Sequence, residues 1–441
     1  MGTKHEMDGQ NHLLVKGAYE SIKSFDQNSS PKFDEVNQAY LEKGYRVLAF
    51  GSGEFTSEDP KSWKIDLVGL VGFIDPPKEG VSDAVESAKD AGIRVAMITG
   101  DHPLTGKQIS KEVSIYREND PVVTGQEFET QPEKQMLKTI KKATVFARIV
   151  PEHKYKIVKM LQKDGEIVAV TGDGVNDVPA LKAANIGVAM GGGTEAAKNA
   201  SKMILTDNNL KVIVEAIKNA RIIADNMRKV IYYLMSTSLQ ELVLISLSIF
   251  FSAPIPLTAI QILWINIVTN GVQDKFFAFA KEEGDVMKRK PRDPDKLFFD
   301  RSQVLRALFF GVPMGLLVFF VYLYMKPHYP FETLSTVVFT SIVFAQWANG
   351  IQAQKEKTPF FMNVKESFTI NPLVYLGLGA GIVLQILAIM VFPWIFRSTR
   401  LTWDLWAIPI LMFVSAFLWI EIRKWVGLLK DTREFSSRLG D

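Results

Sequence analysis

The residues best placed to do chemistry gather in Val168-Ala-Val-Thr-Gly-Asp-Gly-Val-Asn-Asp177. Ile167 to Val170 is a short apolar run and reads as a buried parallel strand. Thr171 and Gly172 end it, and Asp173 and Asp177 follow four residues apart with Asn176 between them. In an α/β sheet ligands sit at the carboxyl ends of strands. A hard oxygen cluster there suits Mg²⁺, which is held by one or two carboxylates together with phosphate oxygens. Two further pieces could join it. Thr99-Gly-Asp101 closes the run Arg94 to Ile98 with a hydroxyl and backbone N–H groups for a phosphoryl oxygen. Lys154, in Pro151-Glu-His-Lys154, supplies a cation for developing negative charge. Taken singly, each of these reads equally well as a solvated turn or a surface lysine.

The elements that would position them alternate. Leu67–Phe73, Arg94–Ile98, Ala143–Ala147, Ile167–Val170 and Asn185–Met190 read as strands, and Gly80–Ala91 and Leu104–Val113 as helices. Strands alternating with helices predict one parallel sheet with right-handed crossovers. Ahead of them, Leu13–Ala18 and Tyr45–Phe50 read as strands, with a turn at Ser29-Ser-Pro31 and a helix at Asp34–Lys43. That is too little for a free-standing domain.

At 441 residues the chain is long enough for at least two domains. Charged and apolar segments alternate up to about residue 225, and apolar runs dominate afterwards. Six runs approach the length of a spanning helix: 230–251, 254–274, 304–325, 334–352, 372–396 and 405–422. The loops 275–303 and 353–371 and the tail 423–441 hold sixteen Lys or Arg, against three in the loops on the other side. That bias predicts a cytoplasmic soluble domain, long loop and C-terminus. With no cysteine, thiolate chemistry and disulfides are excluded. The net charge of +3 gives no case for nucleic acid as a partner. Polar residues inside the spans are costly and therefore suspect. They include Ser236, Ser238, Gln240 and Glu241 in the first, Asn266, Thr269, Asn270 and Asp274 in the second, and Gln346 and Asn349 in the fourth. Glu241 lies mid-span, whereas the amides and hydroxyls could equally serve helix–helix hydrogen bonds.

Together, Thr99-Gly-Asp101, Asp75-Pro-Pro77, Thr171-Gly-Asp-Gly-Val-Asn-Asp177, Lys16-Gly-Ala18 and Trp264-Ile-Asn-Ile-Val-Thr-Asn-Gly271 resemble the type II cation-transporting P-type ATPases, the calcium-pump-like branch. The resemblance covers nearly the whole chain. It implies a haloacid-dehalogenase-like (Rossmann-like) α/β cytoplasmic domain followed by an all-α bundle of six transmembrane helices. The implied domains are a nucleotide-binding remnant (1–60), a phosphorylation domain (61–210), a stalk helix (211–229), a transmembrane domain (230–430) and a cytoplasmic tail (431–441). It also implies ATP as substrate, Mg²⁺ as cofactor, and the lipid bilayer, the plasma membrane in the first place, as surroundings. Thr99, Gly100, Asp101 and Lys154 would hold the transferred phosphoryl group, Asp173 the Mg²⁺, and Asn176 and Asp177 would support that site. Lys16, Arg46, Asp75 and Arg148 would face ATP. Ser238, Glu241, Asn266, Thr269, Asn270 and Gln346 would face the transported cation, Ca²⁺ or another such as Na⁺, K⁺ or H⁺. A calcium pump of that family has Asn where Ser238 stands, Asp where Asn270 stands and Glu where Gln346 stands. Two carboxylates are thus amides here, which argues for weaker Ca²⁺ binding, a single site or a monovalent ion.

The family's Asp-Lys-Thr-Gly-Thr stretch, which carries the phosphorylated aspartate, does not occur in this sequence, and neither does its Thr-Gly-Glu loop. The expectation is therefore the C-terminal part of a pump, with a separate N-terminal half as partner, and with enzyme activity left open because a covalent aspartyl-phosphate needs its nucleophile. The alternative is a catalytically inactive membrane protein that kept the fold for interaction or regulation. A tethered phosphatase using Asp75 ranks last, because Pro76 and Pro77 remove two backbone donors beside it.

Overall fold

The computed structural model describes residues 1–7, 9–28, 31–293 and 300–438. Of the turn expected at 29–31, residues 29 and 30 lie outside that set. Two compact units divide the chain, the first comprising 1–216 with 287–290, the second 217–286 with the chain from 291 onward.

The first unit opens with a four-stranded antiparallel sheet, in the order β1 (Gly2–Met7), β2 (Gln10–Gly17), β3 (Arg46–Glu54), β4 (Asp66–Phe73). Its one buried face sets Leu13, Val15, Ala49 and Ile65 against Tyr19 and Ile22. This corrects the expectation for 67–73. The run reads as an apolar strand of a parallel sheet, yet β4 pairs antiparallel with β3, from Arg46 opposite Phe73 to Ser52 opposite Asp66. Val68, Val71 and Phe73 are exposed, so the strand is covered on one face only.

The parallel strands form two sheets of three rather than one. β5 (Met97–Ile98), β7 (Val145–Ala147) and β6 (Val122–Thr124) lie in the order β5-β7-β6. β8 (Ala169–Gly172), β9 (Ile186–Met190) and β10 (Met203–Leu205) lie in the order β10-β9-β8. The expected strand 94–98 contracts to two residues. β6 and β10 escape sequence reading because three residues show no period, and β1 because Met7 is its one large apolar residue. Around these strands run α1 (Val81–Asp90), α2 (Pro103–Glu112), α3 (Pro151–Lys163) and α4 (Val178–Ala183). α3 starts at a proline in its first turn, where the missing N–H costs nothing. Its Ile157, Met160 and Leu161 pack with Phe146 and Ile98 of one sheet, and its Val158 packs with Val168 and Val170 beside the other.

α5 (Leu210–Phe250) is one unbroken helix of 41 residues, of which 217–250 belong to the second unit. It continues the charged stretch before 230 into the first apolar run. Among the described residues five helices are long and apolar enough to cross a membrane. They are α5, α7 (Arg301–Met325), α8 (Phe331–Ala353), α9 (Pro372–Ile386, continued to Val391) and α10 (Trp403–Arg438). The run expected as a sixth, 254–274, behaves differently. It is α helix only as α6 (Ala259–Ile265), turns π over Asn266–Gln273 and tightens to 3₁₀ over Asp274–Phe279. The cause is local: Asn266 Nδ2 donates to Ile262 O at 3.0 Å and Thr269 Oγ1 to Ile265 O at 2.7 Å, so side chains compete for the helix's own carbonyls.

α8 is the interior helix: 94% of its apolar window is buried, against 33–39% for the other four. An interior position explains why it carries Ser335, Thr336, Thr340, Ser341, Gln346 and Asn349, all buried. Beyond its C-terminal end, Glu283 accepts backbone N–H groups of Glu356, Lys357 and Thr358. Burial pushes the Glu283 carboxyl up, and those three donors outweigh it and hold it below the usual range.

α5 and α7 meet at Gly311 and Gly315, four residues apart on one face. A Cβ at Gly311 would stand 2.8 Å from Leu239 Cβ, and one at Gly315 2.9 Å from Gln240 O. Small residues at that spacing let two membrane helices close up. Gly315→Leu is therefore expected to destabilise the detergent-solubilised chain by about 1–3 kcal/mol through overpacking, read as a lower thermal midpoint, while Gly379→Leu, at a position with open space around it, leaves the midpoint in place.

Candidate functional site

At the carboxyl end of β8 the chain turns sharply. Gly172 is needed there, since a Cβ would meet the Asp177 carboxyl carbon at 2.7 Å. Asp177 is buried. Its Oδ1 accepts from Lys154 Nζ at 2.6 Å, and its Oδ2 from the backbone N–H groups of Asp173 and Gly174, each at 3.2 Å. Burial pushes this carboxyl up, but the Lys154 ammonium and the Gly174 and Asp173 amides outweigh it and hold the group below the usual carboxylate range. Lys154 stands in the first turn of α3, directly after β7, so the pair joins the carboxyl ends of strands from the two parallel sheets.

Asp173 is fixed by its backbone and free at its side chain. Its carbonyl accepts from Thr194 N at 2.8 Å, while its carboxylate is exposed and makes no hydrogen bond or ion pair among the described residues. No group of three or more His, Asp or Glu converges as a ready-made metal cage among the described residues. A lone outward carboxylate fits Mg²⁺, which keeps most of its water and takes one or two carboxylates plus phosphate oxygens. Asn176 is exposed beside it.

Thr99, Gly100 and Asp101 follow β5. Asp101 N donates to Thr99 Oγ1 at 3.1 Å and Thr99 Oγ1 donates to Asp101 Oδ2 at 3.0 Å, closing the loop on itself. Thr99 N and O bond Phe146 O and Ile149 N. The structure thus brings Lys154 and Asp177 together with Asp173 beside them, and holds Thr99 to Asp101 at the end of a strand in the other parallel sheet.

Of the four residues expected to face ATP, two line one cleft of about 210 Å³. Arg46 Nε lies 3.5 Å from Asp101 Oδ1, and Arg148 donates to Glu20 Oε1 at 2.8 Å. Arg148 takes a left-handed backbone, φ 51°, uncommon for a residue with a Cβ and a mark of sites where local geometry is imposed. Lys16 and Asp75 are exposed and do not line the cleft. Lys16 pairs with Phe50, four residues along β3 from Arg46, roughly 13 Å at strand spacing.

In the second unit Glu241 is buried, and its Oε1 accepts from Gln346 Nε2 at 3.0 Å. Gln346 Oε1 is buried with no hydrogen-bond partner. One turn earlier on the same face of α5, Thr237 Oγ1 donates to Asn270 Oδ1 at 3.3 Å, and Asn270 Nδ2 donates to Asn266 Oδ1 at 2.9 Å. Thr269 Oγ1 stands 3.4 Å from the same Asn270 oxygen. Five of the six residues expected to face a cation thus fall into two adjoining hydrogen-bonded sets. Ser238 departs from the expectation: it is exposed, and the register of α5 turns Thr237 inward where Ser238 was expected. Sequence reading missed Thr237, because neighbouring Ser and Thr differ only by the 100° that a helix turns per residue. It also missed Tyr232, whose hydroxyl donates to Asn349 Oδ1 at 3.1 Å, while Asn349 Nδ2 donates to Ser236 Oγ at 2.7 Å. A tyrosine within an apolar run carries no separate signal.

Two families match. The one described as cation transporting ATPase, C-terminus, covers residues 254–426, and haloacid dehalogenase-like hydrolase covers residues 10–185. The chain is 33% identical to calcium-transporting ATPase 1 of Lactococcus lactis over 96% of its own length and 50% of that protein's. It is 37% identical to the endoplasmic reticulum-type calcium-transporting ATPase 2 of Arabidopsis thaliana, over 85% of its length and 40% of that protein's. It is 34% identical to the human calcium-transporting ATPase type 2C member 1, over 81% and 38%. The chain spans about half the length, or less, of these relatives.

Asp177→Ala strands the Lys154 ammonium and two backbone donors, at a cost of about 1–3 kcal/mol. Because the folded carboxyl titrates below its unfolded value, its stabilisation is present above about pH 3.9 and is lost as pH falls through the folded value. Denaturant midpoints of the full chain from pH 7 to pH 3 should show the variant weaker at pH 7 and the gap to the parent closing toward pH 3.

Proposed function

The chain carries the C-terminal region of the cation-transporting ATPase family beside a haloacid dehalogenase-like hydrolase domain and is related over most of its length to calcium-transporting P-type ATPases; we propose that it works as the C-terminal part of an ATP-driven cation pump. One observation carries the reading. Glu241 is a carboxylate buried midway along the apolar run 230–251 of a membrane-length helix, its near neighbours are neutral oxygens and amides, and one of those oxygens, on Gln346, has no partner. A carboxylate in such a place is retained for a cation. One carboxylate with several neutral oxygens describes a single site for one ion. The relatives' names point to Ca²⁺, with Na⁺, K⁺ or H⁺ as the readings that the loss of two carboxylates favours.

In the soluble unit Asp173 holds Mg²⁺, which screens phosphate charge when bound. Thr99 and the Gly100 amide receive phosphoryl oxygens. Lys154, kept in place by Asp177, turns its ammonium toward charge that builds during phosphoryl transfer. Arg46 and Arg148 bind the nucleotide from the cleft and exchange Asp101 and Glu20 for phosphate, with Lys16 and Asp75 on the approach to it. The aspartate that accepts the phosphoryl group comes from a separate N-terminal half. The excess of Lys and Arg in the loops and tail supports a cytoplasmic place for this unit and the C-terminus, and the same reading puts the bundle, with 254–274 as its sixth segment, in the plasma membrane.

The purified chain alone should form no acid-stable phosphoenzyme from labelled ATP, and addition of an N-terminal half bearing Asp-Lys-Thr-Gly-Thr should restore one. In that complemented pump Glu241→Gln is expected to abolish ion-stimulated ATPase activity, and Asn270→Asp to raise Ca²⁺ affinity roughly tenfold, since added ligand charge is how such sites are tuned. Assays across Ca²⁺, Na⁺, K⁺ and pH read both. Ion stimulation that survives Glu241→Gln would leave the carboxylate a structural group.

A further inference from the structure

Besides its two arginines, the cleft that Arg46 and Arg148 line holds a carboxylate, Glu20, and an imidazole, His102. Glu20 belongs to the short helix Tyr19–Lys23. Tyr19 and Ile22 bury that helix against Leu13, Val15, Ala49 and Ile65, and Tyr19 Oη donates to Asp34 Oδ1 at 2.7 Å. The helix is fixed by these contacts, and Glu20 is left exposed. Opposite it, Asp101, His102 and Arg148 make one rim, because Arg148 N donates to Asp101 O at 3.1 Å. The rim has no room to shift at Gly125, where a Cβ would stand 2.4 Å from Arg148 O.

His102 is held in one tautomer. Its Nδ1 accepts from Leu104 N at 3.3 Å and so caps α2, which puts the ring proton on Nε2. Nε2 stands 3.4 Å from Glu20 Oε1, the oxygen that also accepts from Arg148 at 2.8 Å. Burial pushes the imidazole below its usual range; Glu20 opposes that and Arg148 adds to it. The neutral ring thus offers the cleft an N–H of fixed direction.

Two bridges of opposite polarity cross the cleft: Arg46 to Asp101, and Glu20 to Arg148 and His102. They differ in strength of hold. Asp101 is tied within its own loop by Thr99 Oγ1. The Glu20 carboxylate makes no hydrogen bond or ion pair except with Arg148 and His102 among the described residues, and its side chain is 48% exposed. An exposed ion pair contributes little, so Glu20 leaves at small cost. A phosphate brings more charge and more acceptor oxygens to the same donors.

We propose, resting on the nucleotide reading of this cleft, that Glu20 is a built-in competitor for nucleotide phosphate and that His102 is a further phosphate-binding residue beside Arg148. In the empty cleft Glu20 keeps the guanidinium and the imidazole N–H in place, so they need no ordering when phosphate arrives. The same carboxylate repels phosphate and is tethered beside the donors at high local concentration, which holds nucleotide affinity down.

Equilibrium binding to the full chain in detergent, with Mg²⁺ chelated so that no phosphoryl transfer occurs, tests this with ATP, tripolyphosphate and adenosine as probes. Glu20→Gln keeps the size of the side chain and removes its charge. It is expected to bind ATP and tripolyphosphate about three- to tenfold more tightly than the parent and to leave adenosine binding unchanged. In an Arg148→Ala background the gain should shrink to less than half, since the carboxylate then has less to release. His102→Asn retains a capping oxygen for α2 and should weaken tripolyphosphate binding at an unchanged thermal midpoint. Equal phosphate affinity in parent and Glu20→Gln, a gain shared by adenosine, a full gain without Arg148, or undiminished tripolyphosphate binding in His102→Asn would each overturn the proposal. Tripolyphosphate that gains while ATP fails to bind would sink the nucleotide reading and leave the competitor standing. ATP that binds parent and Glu20→Gln alike would do the reverse, and failure of both phosphate probes to bind either protein would overturn both.

Discussion

An ionisable carboxylate inside an apolar helix bundle must find something to hold, and the second unit is arranged around that constraint at Glu241. The interior helix α8 carries Gln346 to it. The same face of α5 presents Thr237, which meets Asn270 where the neighbouring segment leaves α-helical geometry. That departure is the constraint's second expression. A regular helix would keep its carbonyls to itself, whereas the side chains of Asn266 and Thr269 claim two of them and widen the turn, as π segments at functional positions do. The close contact of α5 with Gly311 and Gly315 then leaves no slack to rotate Glu241 away.

The first unit depends on a different pairing. Lys154 and Asp177 satisfy each other at the ends of strands from two separate sheets, and α3 spans the same two sheets from above. Asp177 is spent on this internal role, so Asp173 is the carboxylate left to face solvent. The two aspartates of one short motif therefore stand in different surroundings: one is bonded within the fold and the other is open to solvent. In the cleft lined by Arg46 and Arg148, Arg46 lies against Asp101 and Arg148 donates to Glu20.

Much of this was legible in the sequence. The strand ends bearing Thr99 and Asp173 show as apolar runs broken by Thr-Gly, and Glu241 shows as a charge in an otherwise apolar window. What was illegible has physical causes. β4 reads the same whether its partner is parallel or antiparallel, because pairing is set by the loop before it and not by the strand's own residues. The division of the parallel strands into two sheets is a matter of which edges meet, and no residue in β5 or β8 announces it. The choice between Thr237 and Ser238 turns on a single residue of helical phase, which an apolar pattern as even as that of α5 does not fix. The segment 254–274 looks like an ordinary span by hydropathy and is irregular for the very reason it is polar.

In the function proposed above, Glu241 and its neutral oxygen neighbours form a site for one cation. Equilibrium binding of radiolabelled Ca²⁺ to the full chain in detergent, with Na⁺ and K⁺ as competitors, measures it directly and needs no ATP turnover. One saturable site per chain is expected for the preferred ion, lost in Glu241→Gln and retained in Ser238→Ala. Binding that is unchanged in Glu241→Gln, or that disappears with Ser238→Ala instead, would contradict it.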